Sequence, residues 1–181
     1  AGVKNESIDE VIMGNVLSAG QGQAPARQAS FNAGLSENVP AVTLNKMCGS
    51  GLKSVIYAHD QIKAGTSELV AAGGMESMTN APYLSPKMRA GARVGHQQMY
   101  DHMFLDGLED AYEPGRLMGT YAEDTAELFQ FTREQQDEYA IGSLNNALSA
   151  QKDNAFDKEI SPVTIKTRKG DITIKEDEQP K

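Results

Sequence analysis

Apolar and polar positions alternate between two kinds of pattern along the first eighty residues. Glu10-Val11-Ile12-Met13-Gly14-Asn15-Val16 reads as a short buried strand. Gly20, Gly22 and Pro25 punctuate the following loop, and Pro25 fits the first turn of a helix running to about Gly34. Ala41-Val42-Thr43-Leu44 is the next strand. A helix then begins at Gly49 or Ser50. Leu52, Val55, Ile56, His59 and Ile62 recur on one of its faces, which predicts that this face packs on the core, and Gly65 ends it. Glu68-Leu69-Val70-Ala71-Ala72 is a third strand. Strand, helix and strand in so short a span form a βαβ unit, hence a parallel sheet with helices on its faces.

From Asn80 the periodicity fades. Pro82, Pro86, Gly91, Gly95, Gly107, Pro114 and Gly115 interrupt a long segment that also carries Met88, Met99, Met103 and Met118. So long a loop is usually functional or an interface, and its methionines suit either an adaptable channel or plain core filling. Residues 119–130 read as a helix. Thr132-Arg133-Glu134-Gln135 is a capping box for a second one, with Ile141, Leu144 and Leu148 as its inner face. Residues 162–166 and 171–175 alternate with period two around Lys169-Gly170, which predicts a hairpin. The organisation expected is a core at residues 1–79 and a second region at 80–181.

Charge narrows the partners. The net charge of −8 is uneven: residues 1–100 carry +1 and residues 101–181 carry −9. The acidic part repels a polyanion, so nucleic acid is not the expected partner. No apolar run approaches the roughly 18 residues of a membrane span, and no signal-peptide pattern opens the chain. A single cysteine among 181 residues allows no internal disulfide, which fits a reducing, cytoplasmic setting. The chain opens on Ala1, which suggests processing or excision from something longer.

That cysteine is the candidate for chemistry. Cys48 lies between the strand ending at Leu44 and the helix starting at Gly49 or Ser50. Unpaired N–H groups and the dipole at a helix N-terminus favour negative charge, and the thiolate is the nucleophilic form. Gly49 and Gly51 leave room for a substrate to approach the sulfur. A small buried cysteine is the plainer alternative. The Cys48 or Gly49 N–H could serve as one oxyanion donor. A base is harder to find. His59 lies about 16 Å along the helix from Cys48, and His96 and His102 are on the irregular segment. Glu76 reads as a hydrogen-bond acceptor that orders loops beneath the site. No metal-ligand cluster is evident. A papain-like protease fails because Gly51 stands where a second cysteine belongs, and Gly51-Leu52-Lys53-Ser54 lacks the adjacent glycine and lysine of a phosphate loop.

Wider motifs carry a resemblance. Asn45-Lys46-Met47-Cys48-Gly49-Ser50-Gly51-Leu52-Lys53-Ser54, Ala71-Ala72-Gly73-Gly74-Met75-Glu76-Ser77-Met78, Leu117-Met118-Gly119-Thr120-Tyr121-Ala122-Glu123 and, earlier, Gly22-Gln23-Ala24-Pro25-Ala26-Arg27-Gln28 resemble the thiolase family, most of all its acetyl-CoA acetyltransferases. The resemblance runs through the whole chain in order. It implies an α/β fold: part of the N-terminal half of the layered βαβ thiolase core, with an α+β loop-domain insertion. On that pattern residues 80–181 hold a tetramer contact and an incomplete loop domain covering coenzyme A.

The resemblance also implies a chemistry. Cys48 matches the residue that accepts the acyl group as a thioester, and Leu108 and Met118 would line the acyl or pantetheine channel. Leu117 stands where some acetyl-specific members carry histidine. Lys166, Arg168 and Lys169 could meet coenzyme A phosphates or simply form a solvated hairpin tip. Coenzyme A thioesters are substrates, and no separate cofactor or metal is implied. Family members are about twice this length. Their activating histidine, in a Gly-His-Pro motif, their second cysteine and their Asn-Glu-Ala-Phe loop lie in a C-terminal half. The expectation is therefore a fragment or split subunit, inactive alone, that assembles as a homo-oligomer, a tetramer when complete, or with a complementary half. A non-catalytic coenzyme A-binding or assembly subunit of the same fold is the alternative.

Overall fold

The structure, a computed structural model, describes residues 2–181. It divides into two compact units, Ala1–Thr120 and Tyr121–Lys181. In the first, β1 (Glu10–Gly14), β2 (Ala41–Leu44) and β3 (Val70–Gly74) form a parallel sheet in the order β2-β1-β3. Helix α1 (Pro25–Asn32) connects β1 to β2, and α2 (Ser50–Ala64) connects β2 to β3. The two crossovers leave the sheet in opposite directions, so right-handed connections place the helices on opposite faces. Side chains agree. Thr43 Oγ1 accepts the Ala26 N–H of α1, while the adjacent Val42 shares a groove with Tyr57 and Ala64 of α2.

The strand limits have local causes. β1 stops at Gly14 because the Val16 N–H turns to the Glu76 carboxylate instead of the ladder. The third strand starts later than expected, at Val70, because Asp9 Oδ2 takes the N–H groups of Glu68 and Leu69 at 2.7 and 2.9 Å. It continues through Gly73 and Gly74, which pair with Met13 and Gly14.

Helix α2 spans the predicted residues, but its predicted inner face points outward. Ser50, Ser54 and Ala58 are buried, whereas Leu52 is 68% and Ile62 46% exposed, with Val55, Ile56 and His59 also exposed. The reason is distance. A Cβ added to Gly14 would lie 2.5 Å from the Ser50 carbonyl carbon, and one on Gly74 would lie 3.2 Å from the Gly51 Cα. Only small side chains fit a helix this close to its sheet. Ser54, fully buried, donates its hydroxyl toward the Gly51 and Gly73 carbonyls at 2.6 and 2.7 Å and stitches helix to strand.

The irregular segment belongs to this first unit. It holds the antiparallel pair β4 (Tyr83–Leu84) and β5 (Tyr100–Asp101), and a wide π-type turn at Phe104–Leu108. Helix α3 (Met118–Leu128) begins in this unit.

In the second unit Thr132 caps α4 (Arg133–Lys152) through the predicted reciprocal box with Gln135. The face expected to be inner is not: Ile141 and Leu148 are exposed, and only Leu144 is half-covered. β6 (Val163–Thr167) and β7 (Gly170–Ile174) form the predicted hairpin, with Arg168 and Lys169 at its turn. Gln151 Nε2 on α4 donates to the Asp177 carbonyl, 3.0 Å.

Candidate active site

Cys48 sits one residue before Gly49, the N-cap of α2, and is exposed. The turn that presents it is tightly specified. Met47, the residue before it, adopts φ +48°, a left-handed conformation that costs a non-glycine residue about 1–2 kcal/mol. Asn45 Oδ1 accepts the Met47 N–H at 2.9 Å. The buried Ser50 hydroxyl accepts the Lys46 N–H at 2.9 Å and donates to the Met47 carbonyl at 2.6 Å. The Gly49 N–H is bound to the Lys46 carbonyl at 3.1 Å, which removes it from the two possible oxyanion donors.

The C-terminal ends of all three parallel strands meet here, where open α/β sheets bind ligands. Val16 and Leu17 follow β1, Cys48 follows β2, and Met75 and Glu76 follow β3. They line a cavity of about 420 Å³ that also takes in Met103, Gly107 and Leu108. Glu76 fixes this edge as expected for an acceptor. Its Oε2 accepts from Val16 N–H at 2.9 Å, and its Oε1 from Leu17 N–H at 2.8 Å and Asn15 Nδ2 at 3.2 Å.

Of the residues singled out from sequence, the fold brings Leu108 into the cavity with Cys48. Met118 is not among its lining residues; it opens α3 and is 42% exposed. Met88 and Met99 are exposed, and Met103 alone of that group reaches the cavity. The others there are Met47, Met75 and Met78. Their position immediately beside the turn and strand end was the available signal.

The histidines do not supply a base to the sulfur. His59 is exposed beside Asp60, 3.3 Å away, rather than at the core edge. His96 is exposed. His102 is buried, but its ring is committed to Asp106 and to the Ala19 N–H. Among the described residues no group of three or more His, Cys, Asp or Glu side chains could hold a metal ion. None of the described helices is long and apolar enough to cross a membrane.

Fold and cavity together define an α/β protein that presents a cysteine at the open edge of a parallel sheet. The chain belongs to the thiolase family: the thiolase N-terminal domain model matches residues 1–181. It is 53% identical to the acetyl-CoA acetyltransferase of Cupriavidus necator over 179 residues, which is 98% of this chain and 45% of the relative. It is 49% identical to that of Saccharomyces cerevisiae, covering 97% of this chain and 44% of the relative. Among solved structures, the Acat5 thiolase of Ascaris suum, in complex with coenzyme A, matches with a TM-score of 0.89 at 40% identity, over 99% of this chain and 44% of the other. The Bacillus anthracis acetyl-CoA acetyltransferase matches with a TM-score of 0.93 at 37% identity, over 99% and 45%. The chain thus spans a little under half the length of these relatives.

Proposed function

We propose that this chain carries the acyl-accepting part of a thiolase that moves acetyl groups between coenzyme A thioesters. The observation behind this is the placement of Cys48, exposed on the specified turn before α2, in one cavity with the ends of three parallel strands. The thiolate attacks the thioester carbonyl. Charge on the tetrahedral oxygen is met by the Cys48 N–H as one donor. The carbon–sulfur bond to coenzyme A then breaks, the leaving thiolate takes up a proton, and an acyl-cysteine remains. In one direction a second acyl-CoA, deprotonated at its α-carbon, takes the acyl group. In the other, free coenzyme A accepts the acyl group left by cleavage of a 3-ketoacyl-CoA. Coenzyme A thioesters are substrates throughout, and no resident cofactor is assigned. Leu108 forms part of the acyl wall, and Met118 is retained as a channel residue from the resemblance.

The second half of the reaction needs a base and an acid. In this reading both come from the C-terminal half of the family pattern, and the uncovered apolar face of α2 is a fitting seat for such a half. The complete enzyme is then a cytoplasmic tetramer, and the 181-residue chain does not turn over alone. Thiolysis of acetoacetyl-CoA should be absent with the pure chain and should appear when the complementary half of a relative is added. Robust turnover by the chain alone would refute the split. A Cys48 left unacylated in the reconstituted protein would favour a coenzyme A-binding subunit without chemistry.

A further inference from the structure

Leu17, Met103, Gly107 and Leu108 form one side of the Cys48 cavity. The last three lie on or beside the wide turn at Phe104–Leu108, closed by the Glu109 N–H on the Phe104 carbonyl at 2.8 Å. Such a turn is an uncommon conformation, seen mostly as single turns and frequently at functional sites. Here it is tied to its surroundings by one buried side chain. His102 is 5% exposed, and its backbone N–H donates to the Pro82 carbonyl at 3.1 Å. Its Nδ1 lies 2.7 Å from Asp106 Oδ2, inside the turn, and its Nε2 accepts the Ala19 N–H at 3.3 Å.

The partners fix the tautomer. A carboxylate only accepts, so Nδ1 carries the proton. A backbone N–H only donates, so Nε2 keeps its lone pair. Two residues before Ala19 is Leu17, whose Cδ2 would lie 3.3 Å from a Cβ on Gly107. The ring therefore joins the loop after β1 to the turn, and the two packed surfaces it joins are the cavity wall. We infer that His102 is a positioning residue that holds Leu17, Gly107 and Leu108 in register and so sets the size of acyl group that fits beside Cys48. The inference rests on the acyl-transfer reading of the cavity.

Asp106→Asn tests it with little change of shape, at a side chain 47% exposed. An amide can donate to Nδ1, which favours the opposite tautomer and aims an N–H at the Ala19 N–H. Three measurements on the full 181-residue chain apply. Nitrogen-15 NMR of labelled histidine reads the tautomer. Amide exchange reads Ala19. Labelling of Cys48 by methyl and butyl methanethiosulfonates reads the wall, since each passes its alkylthio group to the thiolate and releases methanesulfinate. The wild-type ring should carry its proton on Nδ1. In Asp106→Asn the tautomers should mix and Ala19 should exchange roughly tenfold faster, the size of one lost hydrogen bond. The butyl-to-methyl rate ratio should move by roughly fourfold, about one methylene's worth of burial. His102→Gln, whose amide oxygen can accept from Ala19, should return the ratio toward wild type. A wild-type ring protonated on Nε2, or one ratio for all three proteins, would overturn the inference. Parallel incubation of the chain reconstituted with the complementary half of a relative, with acetyl- and butanoyl-CoA, separates it from the reading beneath it. A shifted ratio without acylation defeats the acyl-transfer reading alone; acylation with an unshifted ratio defeats the positioning role alone.

Discussion

Glu76 and Asp9 do similar work at opposite ends of the sheet, and neither needs burial to do it. Glu76 accepts two backbone N–H groups and one amide at the C-terminal edge. Glu76→Gln puts an NH₂ donor against one of those donors and should cost about 2 kcal/mol in urea unfolding. Asp9 holds the loop before β3 at the other edge. The Leu69 N–H, then the Glu68 N–H, keep its carboxyl below the usual value of 3.8. Its folded form thus binds the proton less readily than the unfolded chain does. The stability this gives is present above about pH 4 and is lost as pH falls through the lower folded value. Acid titration of Asp9→Asn should show a shallower loss of stability across that window than wild type; identical profiles would contradict the assignment. Cys48 and Glu76 were legible as candidates because a residue type sat at a strand end with glycines around it. The left-handed Met47 and the His102 ring were not: Met47 is held by Asn45 and Ser50 in a local turn that no residue pattern announces, and the ring, paired locally with Asp106, also accepts from Ala19, far away in sequence.

At the scale of elements, α2 shows where hydrophobic pattern misleads. Its helical period, its start after Cys48 and its end at Gly65 followed from sequence. Its buried face did not, since hydrophobicity ranks Leu52 and Ile56 above Ser50 and Ser54, while a close helix–sheet approach selects for size. Gly14→Ala should therefore be far worse than an ordinary glycine substitution. Its methyl group meets backbone atoms of Ser50 and Gly51 within 2.7 Å, and a loss of about 3 kcal/mol is expected from thermal or urea unfolding. On the outer face, Leu52→Glu combined with Ile56→Lys should change the stability of this chain by no more than about 0.5 kcal/mol. It should also reduce self-association in sedimentation, because it breaks an exposed apolar patch. A large destabilisation would mean that this face is buried after all. The limits of β1 and β3 moved for reasons of the same kind: side-chain carboxylates took backbone donors that a ladder would have used.

For the whole molecule, the parallel sheet and the capped helix and hairpin of the second unit were readable from period and punctuation, and the family from motif order. The inner face of α4 was not, because Ile141 and Leu148 remain exposed within that unit. Three members of the cavity wall, Met103, Gly107 and Leu108, came from the segment in which the periodicity fades. The central claim is that Cys48 is the acyl acceptor. It is tested most directly by the intact mass of this chain after incubation with acetyl-CoA, alone and with the complementary half of a relative, against Cys48→Ala. One acetyl group is expected in the reconstituted protein, absent from the variant. An acetyl group retained in Cys48→Ala, or none in a reconstituted protein that binds coenzyme A, would contradict it.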